Sequence, residues 1–249
     1  MPRQFGTLRR LRPLMLAALF AAAPATARAG DFATLHSYGF SADGSVYAFG
    51  QSGIQDGSGF PYAEIFFLDV NEDRFLSPSP VRVRLDDENA TLEMAMDEAR
   101  GRAASLFETH DPQPDAGQLV FASPAAELAD NPHRARFLPR AIAPSPDRPV
   151  ELRIETIPLS GPDHCTGFGQ TVGYRLVRIA TEPGTAAQLV HEDASIPQSR
   201  GCPLDYRFSE IRVLQRPDGG FAAVAIIGVE QVGFEGPALR FIANPVPVD

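Results

Sequence analysis

A mainly β domain, made of antiparallel hairpins in a propeller-like or sandwich-like arrangement with one amphipathic helix at about residues 91–108, is the fold class this sequence predicts. Three observations carry it. Apolar and charged residues alternate along several segments, residues 150–156 most cleanly. Residues 221–229 form an unbroken apolar run, the pattern of a central strand covered on both faces. A single hairpin plan also occurs twice. Asp43-Gly-Ser-Val-Tyr-Ala-Phe49 leads to Gly59-Phe60 and the apolar run 64–69, and Asp218-Gly-Gly-Phe-Ala-Ala-Val224 leads to Gly233-Phe234 and the run 239–243. The glycine-rich loop at 52–62 is the longer of the two connections.

The elements follow in order. Arg3, Arg9, Arg10 and Arg12 precede an apolar stretch at 14–23, and Ala27-Arg28-Ala29 offers a small-residue cleavage site, with Ala25-Thr26-Ala27 as its competitor. The apolar stretch is too short to span a bilayer. Residues 1–29 are therefore expected to be a signal peptide, and 30–249 a single mature β-rich domain. Arg9-Arg10 hints at twin-arginine export. Residues 43–49 and 64–69 read as the first hairpin, and 81–85 alternate as a further strand. The period then changes: Leu92, Met96, Ala99, Ala103 and Leu106 fall at helical spacing, with Gly101 as the weak point. Pro139, Pro144, Pro146 and Pro149 mark an extended connector, a layout that admits two lobes, 30–138 and 150–249.

Beyond the connector, Val150, Leu152, Ile154 and Thr156 share one strand face, while Glu151, Arg153 and Glu155 share the other. Residues 173–179 and 187–191 bracket a turn at 182–185, and Gly167-Phe168 stands before them as a third Gly-Phe pair. Along 206–214 the apolar phase slips near Ser209, which predicts a bulge.

Composition narrows the function classes. All 22 basic residues are arginine. Without lysine, Schiff-base chemistry, a phosphate-loop lysine and a Ser-x-x-Lys nucleophile are excluded. Five of the arginines fall in residues 1–29 and none of the 31 acidic residues does, leaving 17 against 31 and a formal charge of −14 on the exported chain. Such a balance repels nucleic acid, and no further long apolar run predicts a membrane span after cleavage. Cys165 and Cys202, both in the exported part, are expected to pair in an oxidising compartment, closing a loop worth on the order of 4 kcal/mol. A reactive or metal-bound thiol is the rival reading, but His164 beside Cys165 with one other cysteine is not a zinc pattern.

The segment 40–49, followed by Ile65-Phe-Phe-Leu-Asp-Val70, resembles one blade of a TolB-type β-propeller, with its aspartate-glycine turn and its strand ending in aspartate. The longer pattern from Phe40 to Asp69, taken with Gly233-Phe-Glu-Gly-Pro-Ala-Leu-Arg-Phe241, is similar to a family of predicted secreted bacterial proteins known as domain of unknown function 2259. That resemblance implies export and carries no activity and no catalytic residue.

Candidate sites divide between loops and polar motifs. In the glycine loop, Asp56, Ser58 and Tyr62 offer polar handles and Phe60 an anchor, against the plain reading of a hairpin loop packed by Phe60. Phe234 and Glu235, in the second Gly-Phe turn, are expected at the same end of the sheet. Phe60, Tyr62, Phe234 and Glu235 would then share one partly aromatic surface. Asp56-Gly-Ser-Gly59 is not a Gly-x-Ser-x-Gly elbow. Asp69-x-Asn71-x-Asp73 opens like a calcium loop, but Arg74 and Pro80 stand where glycine and glutamate are needed, so it reads as a polar turn. The five histidines share no metal spacing. The sequence thus points to a non-catalytic binding or envelope-associated module, periplasmic or secreted, with no cofactor or metal and with a periplasmic protein or small ligand as partner. The alternative is a periplasmic hydrolase that uses the 53–62 loop with a distant histidine.

Overall fold

The computed structural model describes Met1 and residues 30–126, 130–181 and 184–248; the expected signal peptide and part of the 182–185 turn lie outside the described residues. Thirteen strands and two helices are described, and the strands form three antiparallel sheets.

The first sheet runs β1 (Thr34–Phe40), β2 (Val46–Ile54), β3 (Pro61–Asp69) and β4 (Arg74–Phe75), with β5 (Val81–Arg84) also on β3. Helices α1 (Leu92–Arg102) and α2 (Ala104–His110) follow. The second sheet has the order β13 (Ala238–Pro245), β12 (Phe221–Gln231), β11 (Pro203–Gln215), β6 (Gln118–Ala122). The third has the order β10 (Gln188–Glu192), β9 (Val172–Arg178), β8 (Val150–Pro158), β7 (Arg134–Phe137). Among the described residues this is a sandwich-like stack, with no closed barrel.

Burial gives the layer order. One face of the first sheet packs Val46, Ala48, Ile65 and Phe67 against Ala95, Ala99, Ala103 and Leu106 of the helices. Its other face packs Tyr47, Phe49, Phe66 and Leu68 against Ala222, Val224 and Ile226 of β12. The neighbours along β12, Ala223, Ala225, Ile227 and Val229, pack instead against Leu152, Ile154, Tyr174 and Leu176 of the third sheet. Because side chains alternate along a strand, β12 feeds two cores at once, as its continuous apolar run requires.

Local chemistry sets the details. Thr91 caps α1 by accepting the Met94 N–H at 3.2 Å. The helical stripe is broken where one helix was expected: Ala103, at φ −91° and ψ 2°, separates α1 from α2 just after Gly101. Buried positions are Ala95, Ala99, Ala103 and Leu106, while Leu92 and Met96 stay half-exposed. The bulge expected at Ser209 is present, as the register of β11 on β12 slips between Phe208 and Glu210. Along β8, Val150, Leu152 and Ile154 are buried and Thr156 is exposed; Glu151 is buried too, because Arg134 grips its two oxygens at 2.9 and 2.7 Å. Cys165 and Cys202 form the expected disulfide, with Cα atoms 5.5 Å apart.

The two similar hairpins, β2–β3 and β12–β13, lie face to face. Their Asp-Gly turns are built alike: Asp43 accepts the Ser45 N–H at 3.0 Å and Asp218 accepts the Gly220 N–H at 3.0 Å. Arg216 joins these turns, donating to the Gly44 carbonyl at 3.3 Å and to Asn71 at 3.0 Å. The stretch 69–73 is a polar turn in which Asp69 accepts the N–H groups of Asn71 and Glu72.

Candidate functional site

At the opposite end of the facing hairpins the two Gly-Phe loops meet. Gln55 donates its N–H to the Phe60 carbonyl at 2.9 Å and accepts from Gly59 at 2.9 Å, so residues 55–60 close into a compact loop. Asp56 projects from it and accepts the backbone N–H of Glu235 at 2.8 Å. Phe234 lies over Gly57, whose φ is +84°; a Cβ there would stand 2.9 Å from the Phe234 ring. Only glycine fits beneath that ring without moving it. Phe234 is nonetheless 78% exposed, and Ser58 and Glu235 are exposed beside it.

The remaining residues of the expected surface sit differently. Phe60 is half-buried. Tyr62 turns inward and is buried, donating its hydroxyl to Asp31 at 2.9 Å beneath the Arg240 guanidinium, 4.4 Å from its ring. Burial pushes the Tyr62 phenol pKa up, with Arg240 opposing in part. Asp31 also pairs with Arg240. Asp56, Phe234 and Glu235 are therefore one patch, with Ser58 and Phe60 in the same loop as Asp56, while Tyr62 is turned away from it toward Asp31 and Arg240.

The serine and histidine geometry bears on hydrolysis. The Ser58 hydroxyl donates to Gln55 at 3.2 Å and accepts the Phe60 N–H at 3.3 Å. Among the described residues a histidine and a serine meet at His36 Nε2 and Ser52 Oγ, 2.8 Å apart across β1 and β2, with Ser52 buried. Burial lowers the His36 pKa, and Arg100 lowers it further. His164 lies within 4.8 Å of both cysteine sulfurs, but these are bonded to each other and offer no thiolate.

Sequence reasoning missed a polar cluster around His191. Its Nε2 meets Asp193 at 3.2 Å and its Nδ1 lies 3.8 Å from Asp73. The ring stacks on Tyr174 at 4.8 Å. The hydrogen bond to Asp193 and the nearby Asp73 carboxylate raise the His191 pKa to about 9 against the cost of burial. The Asp193 pKa is lowered: burial favours the neutral acid, but His191 and Arg200 outweigh it. Arg200 donates to Asp193 at 2.5 Å and lies over the Tyr174 and Tyr206 rings. At neutral pH this histidine is an imidazolium between two carboxylates, a structural cation with no lone pair for general-base work. The sequence signal was His191 and Asp193 two apart at the end of β10; Asp73 comes from the turn between β3 and β4 of another sheet.

Among comparisons with known proteins, the family model described as predicted secreted protein (DUF2259) matches residues 48–247. No curated protein and no solved structure matches the chain.

Proposed function

We propose, for a chain that belongs to the predicted secreted protein family whose model spans residues 48–247, a non-catalytic binding role at the joined Gly-Phe loops, performed in the periplasm or outside the cell. The observation that supports it is the tie between Asp56 and the Glu235 N–H, which holds an exposed Phe234 over Gly57. An exposed aromatic fixed before contact costs little entropy to bury, and aromatic anchors of this kind dominate interface energetics. Its partner is a periplasmic protein or a small ligand that covers Phe234 and leaves the Glu235 carboxylate at the rim.

Two observations weigh against the hydrolase alternative. Ser58 turns its hydroxyl to Gln55 and the Phe60 N–H, and His191 keeps its proton at neutral pH. The test is affinity capture from envelope extract with the wild type and with Phe234→Ala and Phe60→Ala. A partner retained by the wild type should be lost with Phe234→Ala and weakened with Phe60→Ala. Identical capture by all three proteins removes the loop patch as the binding surface.

A further inference from the structure

Residues of β2, β3 and β5, among them Gln51, Glu64, Arg82 and Arg84, form one wall of a cleft of about 660 Å³ that β12 and β13 also line. The opposite wall is the short turn Pro197–Gly201, pinned by the disulfide at Cys202. Four arginines line this space, Arg82, Arg84, Arg200 and Arg240, against a single acid, Glu64. Acids outnumber arginines in the chain, yet the lining of this cleft is mostly cationic, with three of the four partner carboxylates set behind it.

The arginines are held by carboxylates that lie outside the lining: Asp86 for Arg84, Asp193 for Arg200 and Asp31 for Arg240. Asp86 and Gln55 occupy all three nitrogens of Arg84, and Asp31 and Leu239 take both terminal nitrogens of Arg240, so Arg82 and Arg200 are the arginines that keep a terminal nitrogen open. Arg82 meets Glu64 through Nε alone, at 3.0 Å, and Arg200 spends only Nη1 on its protein partners. Arginine forks with open N–H groups match the oxygens of a carboxylate or phosphate. Gln198 and Gln231 also line the cleft, and among the described residues their side-chain amides have no hydrogen-bond partner. An amide that both donates and accepts suits hydroxyl groups. The volume matches that of small-molecule sites.

We infer that this cleft is a binding site for an acidic sugar, one whose skeleton carries a carboxylate or a phosphate. The anion engages Arg82 and Arg200, and the hydroxyls reach Gln198 and Gln231. The cleft borders the Gly-Phe loop at Gln55, which accepts from Arg84; Arg82 is paired with Glu64 instead, so a substitution there leaves Phe234 and Asp56 untouched.

Calorimetric titration of the exported chain with glucuronate, glucose 6-phosphate and glucose at fixed ionic strength tests the inference. At least one anionic sugar should bind, with glucose about tenfold weaker or more, and the two anions separate carboxylate from phosphate recognition. Arg82→Gln, at a half-exposed side chain, should weaken the anion about tenfold while the melting temperature and circular dichroism stay at wild-type values. Raising the salt concentration should weaken the anion and leave glucose unchanged. Equal binding of all three sugars, binding of none, or anion binding unaltered in the Arg82→Gln variant overturns it.

Discussion

The exposed carboxylate of Asp56 and the half-hidden ring of His191 show how much a single side chain can organise here. Among the described residues Asp56 is the side chain that ties the two loops by a hydrogen bond, so Asp56→Ala should free residues 233–237. Faster amide exchange at Glu235, with global stability lowered by about 1 kcal/mol or less, is the expected result. His191 makes a pH prediction with a definite sign. Its folded pKa of about 9 lies above the unfolded value of 6.5, so its contribution is full below pH 6.5 and is lost as pH rises through 9. His191→Gln should cost about 2 kcal/mol in urea denaturation at pH 6 and far less at pH 10. An equal cost at both values would show that the ring contributes by packing on Tyr174 alone. Of these two features the sequence disclosed Asp56, because the Gly-Phe echo put two loops at one end of a repeated hairpin. His191 was hidden because its second carboxylate, Asp73, is contributed by a turn in a different sheet.

Elements whose reasons are local were the ones legible beforehand. The β11 bulge shows as a slipped apolar phase at Ser209, and the double burial of β12 as an uninterrupted apolar run. Adjacent residues of a strand with one wet face differ sharply in their tolerance of truncation; those of β12 should not. Ile226→Ala and Ile227→Ala are each expected to cost about 2–5 kcal/mol in chemical denaturation, since one opens the core toward the first sheet and the other toward the third. The helical segment was only half legible. Periodicity located it, but the break at Ala103 comes from seating both helices on the first sheet, where Ala95, Ala99, Ala103 and Leu106 all reach bottom. Thr91→Ala should cost about 1 kcal/mol through the lost cap.

At the scale of the whole molecule, the order of the three sheets was not legible, because nothing in a strand's own pattern names the sheet it will face. What could be read was that β12 had to be covered twice, and that single fact turns out to organise the stack. The disulfide was readable from two exported cysteines, and its geometry adds that it anchors one wall of the arginine-lined cleft. Cys165→Ser, Cys202→Ser should lower stability by about 4 kcal/mol in denaturant titration. A loss confined to the cleft, with unfolding unchanged, would argue for a purely local role. The placement of β12 has a further consequence, for delivery of the chain. Tyr47, Phe49 and Phe66 belong to its first third, yet the residues that cover them, Ala222 to Ala243, come near its end. During synthesis or threading through a translocon from the N-terminus, the hairpin β2–β3 emerges with an aromatic face that has no lid until the last strands follow. A chain stopped before Phe221 keeps that face bare, which makes it a client for holding chaperones and a seed for aggregation.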